Sequence, residues 1–198
     1  LGGAVLMPGF VDGHNHMELS CITLDQHLQL HAPPITSVTQ LLEAIEERRR
    51  AQPTGWIVVR SSFALGRRLN EGRLPEQREL DRISPNAPVV VLAGLHVAVL
   101  NTRAMRALAL DDETRHERGM TVHRHPDGRP NGVFTEVWDR LPVAAEGDVV
   151  AAIDRHARGL FSSHGITSLS TVPTSAADVR ALQTLNDSGR LPFRVRFY

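Results

Sequence analysis

The sequence predicts an α/β protein, in which a partial parallel sheet is interrupted by an inserted α+β segment. Three observations carry that expectation. Toward the C-terminus, helix-patterned and strand-patterned stretches alternate and are punctuated by Gly165 and Gly189, a βα rhythm that builds parallel sheets. Near the start, a short apolar run (residues 4–7) leads through Pro8-Gly9 and Phe10-Val11 into Asp12-Gly13-His14-Asn15-His16, which reads as a strand ending in polar side chains. Between residues 37 and 141, strands and helices follow an order of their own.

In chain order, residues 1–7 read as a short strand or linker, and 10–14 as the first strand of the parallel sheet. Residues 17–34 show no clear period. Ser37 is placed to cap a helix, with Gln40 completing a capping box. Val38, Leu41, Leu42 and Ile45 follow at helical spacing, and the helix runs to about Ala51, ahead of Pro53. The Arg48-Arg49-Arg50 run suits the negative end of the helix dipole and reads as a solvated helix end. Residues 56–61 are β-rich, and 66–72 form an arginine-rich loop. Pro75 opens a short helix to about Ile83. Strands at 88–93 and 96–100 flank Gly94, and Thr102 caps a helix over 103–110. A charged loop over 111–119 is followed by a strand at 121–124 and a turn at Pro126-Asp127-Gly128. Residues 131–136 start a helix to about Leu141. The stretch 148–163 is amphipathic, with Val149, Ile153, Ala157 and Leu160 on one stripe and Gly165 past its end. Then come a second sheet strand at 166–172, a helix at 176–186 stopped by Gly189, and a third strand at 193–198.

Composition narrows the function classes. Lys+Arg and Asp+Glu number 22 each, so the chain lacks the basic surplus that nucleic acid or an acidic membrane surface demands. The single cysteine, Cys21, excludes an internal disulfide, suits a reducing cytoplasm and reads as a small buried residue. No apolar run approaches the roughly 18 residues of a membrane span, and no signal peptide is visible.

Along a strand, residues two apart share a face. Asp12, His14 and His16 therefore line one side. Two imidazoles there can grip one divalent metal, and a third ligand and a water would complete a catalytic site. Asp12, one layer deeper, is placed to hold an imidazole in the required tautomer; its plainer role is a buried polar group satisfied by backbone. His123-Arg124-His125 repeats the spacing but abuts the 126–128 turn, so it reads as a solvated strand end. His27 and His31 would share a helical face, yet Pro33-Pro34 follows and no acid lies between them, so they read as no metal site. His156 and His164 fall on one helix, where the dipole accounts for His164.

Several of these pieces together resemble a known family. The run Val5-Leu6-Met7-Pro8-Gly9-Phe10-Val11-Asp12-Gly13-His14-Asn15-His16 resembles the signature that opens the barrel of metal-dependent amidohydrolases. The segment Leu80-Asp81-Arg82-Ile83-Ser84-Pro85-Asn86-Ala87-Pro88-Val89 resembles Leu-Asp-x-x-Ser-Pro-x-x-Pro-Val of the family-3 branch, which includes N-substituted formamide deformylases. Gly94-Leu95-His96-Val97-Ala98-Val99-Leu100-Asn101-Thr102 resembles its Gly-His-x-x-x-x-Asn-Ser segment, with a leucine between Gly94 and His96. Residues Asn131 to Glu136 resemble its Thr-Gly-x-x-x-Glu stretch.

The resemblance implies a (β/α)8 TIM barrel with His14 and His16 at the C-terminal end of its first strand. It implies hydrolysis of an amide- or formamide-type carbon–nitrogen bond by metal-activated water, with one or two divalent ions, zinc first among them. A lysine, two further histidines and an aspartate base are expected from later strands outside this chain. In the subdomain that overhangs the barrel mouth, His96 reads either as a substrate-facing group or as a core histidine bonded to backbone, and Glu136 either as a group reaching the metal mouth or as an acid in the first turn of a helix. The expected division is 1–36, with the first barrel strand and metal motif; 37–141, the inserted subdomain; and 142–198, with the second and third barrel strands. The expected partner is a small amide-type molecule, without nucleic acid or membrane; self-association into a homo-oligomer is also expected. A barrel takes about 250 residues, so the 198 residues are expected to be an N-terminal portion, inactive by itself. The alternative class is a non-catalytic interaction or regulatory domain derived from a hydrolase.

Overall fold

The computed structural model describes residues 2–110 and 119–198; the loop expected over 111–118 lies outside them. In chain order the elements are β1 (Phe10–Asn15), α1 (Met17–Gln26), β2 (Leu28–Gln29), α2 (Val38–Ala51), β3 (Ile57–Ser61), α3 (Leu65–Arg68), α4 (Gln77–Ile83) and β4 (Val89–Ala93). They continue with β5 (Val97–Leu100), α5 (Thr102–Ala107), β6 (Thr121–Arg124), β7 (Pro130–Thr135), α6 (Glu146–Leu160), β8 (Ile166–Thr171), α7 (Ala176–Asp187) and β9 (Arg194–Phe197). The chain divides into two compact units, residues 1–26 with 143–198 and residues 27–142. The inserted segment thus begins at 27 rather than at 37, because β2 pairs with β3 and so belongs to the inserted sheet.

The 27–142 unit is built on a six-stranded sheet in the order β2-β3-β4-β5-β7-β6. Its first three strands are parallel and the others antiparallel. Strand β4, Val-Val-Val-Leu-Ala, is buried at every position. Its odd residues, Val89, Val91 and Ala93, pack with Leu41 and Ile45 of α2 and Leu80 of α4. Its even residues, Val90 and Leu92, pack with Phe134 and Met105 on the opposite face. A continuous apolar run is what a strand covered on both faces requires, and each such side chain contributes about 1.5–3 kcal/mol by leaving water.

Polar residues fix the helix ends. Ser37 Oγ accepts the Gln40 N–H at 3.1 Å, as its spacing predicts. The Gln40 side chain, however, turns back to the Thr36 N–H at 2.9 Å and not to Ser37. Glu76, one residue past the expected Pro75, caps α4 in a reciprocal box with Glu79. Asn101, not Thr102, caps α5. Its buried amide accepts from Ala104 and Val89 N–H and donates to the Ser84 and Ala87 carbonyls.

Arg49 departs from the expected solvated helix end. Its guanidinium is buried and donates to Ser84 Oγ and to the carbonyls of Gln52, Gly55 and Pro88. Two further expectations are corrected. The loop over 66–72 contains the short helix α3, entered through Ala64 in the left-handed region. Residues 131–135 belong to a strand: their burial alternates with period two, and β7 pairs with both β5 and β6.

The other unit carries a three-stranded sheet, β1-β8-β9, parallel throughout. Helices α1, α6 and α7 cover it through Met17, Cys21, Ile153, Ala157, Leu182 and Leu185, against Leu169 of β8. The helix α1 forms where no period was visible, because the polar Glu18 lies on its buried side. Gly165 ends the stretch after α6 with φ +79°, in the left-handed conformation that favours glycine. His164 stands in the 3-10 turn Ser162–His164 and does not share a helix with His156. Residues 2–9 form turn and coil rather than a strand.

Candidate metal centre

The candidate centre lies at the carboxyl end of β1, beside the parallel strand β8. The Phe10 N–H donates to the Gly165 carbonyl at 2.8 Å and opens the pairing, while Val172 N–H to Asn15 O at 3.0 Å closes it. The preceding Pro8-Gly9 has a steric role. A Cβ on Gly9 would fall 2.3 Å from Thr167 Cγ2, 2.4 Å from its Oγ1 and 2.9 Å from its Cβ. Only glycine lets the chain enter β1 this close to β8.

His14, in β1, and His16, the residue just past its end, come together, with ring centroids 5.5 Å apart and planes at 86°. Each presents a defined nitrogen. His16 Nδ1 lies 3.0 Å from the Val172 carbonyl. A carbonyl only accepts, so Nδ1 carries a proton, and in the neutral ring Nε2 keeps its lone pair. His14 Nδ1 lies 2.5 Å from the Tyr198 hydroxyl, which also stands 2.9 Å from the Gly13 carbonyl.

Asp12 does not reach either ring. Its carboxylate accepts from the His14 N–H at 3.1 Å and from the Asn15 amide at 2.8 Å. This is the local turn geometry that a short acidic side chain adopts with the backbone two residues on. A register shift between Asp12 and Asn15 breaks the regular strand alternation there.

Behind the histidines lies a buried polar knot. Thr171 Oγ1 accepts the Met17 N–H at 3.2 Å and donates to Glu18 Oε2 at 2.8 Å. Glu18 is 1% exposed, and its Oε1 has no partner among the described residues. Burial pushes its carboxyl above the ordinary range, against hydrogen bonds from its own backbone N–H and Thr171 that pull it down. Cys21 is fully buried, and desolvation pushes its thiol up to about 12.

His96 and Glu136, singled out separately in the sequence, are one pair. His96 Nδ1 meets the Glu136 carboxylate at 2.6 Å, both side chains being exposed. Glu136 is not in a helix; it follows β7 with φ +55°, a costly conformation for a residue with a Cβ. Its N–H donates to the His96 carbonyl at 3.0 Å, which ties the two together through backbone as well.

Other histidines among the described residues lie elsewhere. His123 Nε2 bonds Thr135 Oγ1 at 2.9 Å on an exposed strand face. His27 and His31 share no helix; burial, then the charge of Arg60, pushes His27 down to about 4. His156 Nε2 meets Asp25 at 3.2 Å, and Asp25 also pairs with Arg155. Among the described residues, no group of three His, Cys, Asp or Glu side chains is arranged to hold a metal ion. The Nε2 atoms of His14 and His16 would contribute two ligands. Neutral imidazole is the right donor for zinc and its neighbours, so the residues present fit part of a divalent site.

A parallel βα sheet thus carries two imidazoles at the carboxyl end of its first strand. The amidohydrolase family model matches residues 1–196, and the chain belongs to that family. It is similar to the N-substituted formamide deformylase of Arthrobacter pascens, 26% identical over 99% of this chain and 38% of that protein. It is also similar to the putative amidohydrolase YtcJ of Bacillus subtilis strain 168, 28% identical over 98% of this chain and 38% of that one. Among solved structures it shares its fold with an uncharacterized metal-dependent hydrolase from Pyrococcus horikoshii OT3. That match has a TM-score of 0.65 and 22% identity, covering 97% of this chain and 36% of the other. The chain thus spans less than two fifths of the length of these curated relatives.

Sequence reasoning missed Tyr198, the Val172 carbonyl and the Thr171–Glu18 pair. Tyr198 is the one tyrosine in the chain. Its proximity to His14 exists only once β9 pairs with β8, because the two residues are 184 positions apart.

Proposed function

We propose that this chain is part of a metal-dependent hydrolase acting on non-peptide carbon–nitrogen bonds of the amide or formamide type. In this reading His14 and His16 are two of its metal ligands, and β1, β8 and β9 are the first three strands of a (β/α)8 barrel. The observation that carries the reading is the paired imidazoles at the end of β1, behind a Pro-Gly entry that only glycine permits. Family membership and the named activity of the formamide deformylase relative support the bond type.

His14 and His16 would hold a divalent cation, zinc among those that imidazole suits, and such an ion would supply an acidified water as nucleophile, its pKa lowered from 15.7 to about 7. The chain's own contribution is to hold both rings by their Nδ1 sides, which leaves the Nε2 atoms as the candidate donors. The His96–Glu136 pair is assigned to substrate. The carboxylate fixes the Nδ1–H, so Nε2 is free to accept from an amide N–H. The further ligands and the general base are assigned to the rest of the protein. Residues 1–198 alone are accordingly expected to bind metal weakly and to show no turnover, since catalytic zinc usually has three protein ligands.

The test uses the intact protein with His14→Ala and His16→Ala combined, measuring metal per protein and hydrolysis of N-substituted formamides and N-acyl amino acids. Loss of both metal and turnover is expected. The paired His123→Ala and His125→Ala control is expected to change neither. Full metal content in the first double variant would refute the assignment.

A further inference from the structure

We propose that Tyr198 is a positioning residue that holds His14 in the tautomer with the proton on Nδ1 and the lone pair on Nε2. This deepens the metal reading and rests on His14 being a ligand. The argument is an accounting of protons. The Tyr198 hydroxyl has one proton and two neighbours, the Gly13 carbonyl at 2.9 Å and His14 Nδ1 at 2.5 Å. A carbonyl oxygen can only accept. If the hydroxyl donated to Nδ1, its oxygen would face the Gly13 oxygen with no proton between them. If it donates to Gly13, its oxygen is free to accept, and His14 Nδ1 must then be the donor. Only the second arrangement satisfies both short distances. In the neutral ring it leaves Nε2 unprotonated, as a metal ligand must be.

Geometry gives the tyrosine this reach. β9 is not hydrogen-bonded to β1; β8 lies between them. Tyr198 N–H bonds the Thr171 carbonyl at 3.4 Å, which seats it at the end of β8. From there its ring lies 5.7 Å from the His14 ring, centroid to centroid, and crosses to the β1 backbone. Asp12, the local candidate for the same task, is already engaged with the His14 N–H and Asn15. His16 has its own holder in the Val172 carbonyl, so the two rings are fixed by independent partners.

The test is Tyr198→Phe, which keeps the ring and removes the hydroxyl. In metal-free protein labelled with 15N-histidine, the two ring nitrogens of His14, assigned with His14→Gln, report the tautomer directly. Wild type is expected to show a protonated Nδ1. Tyr198→Phe is expected to lose that preference while the His16 signals stay in place, which also shows that the sheet is intact. Zinc titration of the intact protein is expected to weaken by 10- to 100-fold, the usual cost of removing a partner behind a ligating histidine. A His14 that keeps the same tautomer in Tyr198→Phe would overturn the proposal, as would a wild-type His14 protonated on Nε2. Wild-type protein that takes up no zinc, yet shows the Tyr198-dependent tautomer, would support the positioning role and defeat the metal reading alone.

Discussion

Replacing Gly9 with alanine tests whether the entry to β1 is set by close approach to β8. The added methyl would sit 2.3 Å from Thr167 Cγ2 and 2.4 Å from Oγ1, where contacts between such atoms need about 3.5–4.0 Å. Rotating the threonine about its first side-chain bond moves those two atoms away. It does not move Thr167 Cβ, which lies 2.9 Å from the new methyl. The backbone must therefore yield, and overpacking of this kind costs about 1–3 kcal/mol. The first bond to shift is Phe10 N–H to Gly165 O, now 2.8 Å, followed by the pairing that carries His14 and His16. We expect Gly9→Ala to lower the urea midpoint accordingly and to weaken metal uptake. Thr167→Gly alone removes every offending atom, at a cost of roughly 0.5–1 kcal/mol for glycine in a strand. Combined with Gly9→Ala it should restore part of the loss, giving a favourable coupling in a double-mutant cycle. Additive effects, or a Gly9→Ala variant within about 0.5 kcal/mol of wild type, would refute the steric account of the Pro-Gly motif.

Two further outcomes follow from burial. His27 is pushed down to about 4 by burial and then by Arg60, so the folded state resists a proton that the unfolded chain accepts near 6.5. Its stabilisation is present above pH 6.5 and is lost as pH falls toward 4, by about 2–3 kcal/mol at most for a half-buried ring; His27→Leu should flatten that part of the urea midpoint against pH, and an unchanged profile would count against it. Cys21, fully buried with its thiol pushed up to about 12, should alkylate with iodoacetamide at pH 8 only as fast as the protein unfolds; rapid modification of folded protein would show that the α1 core is open.

What was legible in the sequence had a local cause. The apolar run over 88–93 reads as a strand, and Val89–Ala93 is one, buried at every position. Ser37 before a helical period reads as a cap, and its hydroxyl holds the Gln40 N–H. What was not legible had its signal diluted or displaced. The helix α1 carries Glu18 on its buried side, satisfied on one oxygen by Thr171 of β8, so its apolar period is broken at the position that tertiary contact rescues. β7 contains Asn131 and Gly132, poor strand formers. Gly132 is needed because a Cβ there would meet the Leu100 carbonyl at 2.8 Å. Thr102 looked like a cap, but its hydroxyl is drawn to Asp81 at 2.7 Å, and Asn101 takes the helix end. Arg49 looked solvated because its neighbours in sequence are charged; its partners come from the segments around Gly55, Ser84 and Pro88.

The candidate centre divides along the same line. Its donors are local: His14 lies in β1, His16 is the residue just past its end, and their rings meet. Their orientation is not. Each Nδ1 ends on a partner from another strand region, Val172 at a separation of 156 residues and Tyr198 at 184. Asp12 shows why proximity in sequence is a poor guide here. Two residues before His14, a short carboxylate reaches the His14 backbone N–H. That bond closes a compact local turn and fixes few additional torsions, so it forms in preference to a bond to the ring. The rings are held instead from the ends of the neighbouring strands, where β8 pairs with β9 and the buried Leu169 stands opposite Val195. The centre thus depends on β8 and β9 being paired before it can present two lone pairs together. Changes to those strands far from the His-x-His motif are then expected to act on metal affinity as directly as changes within it.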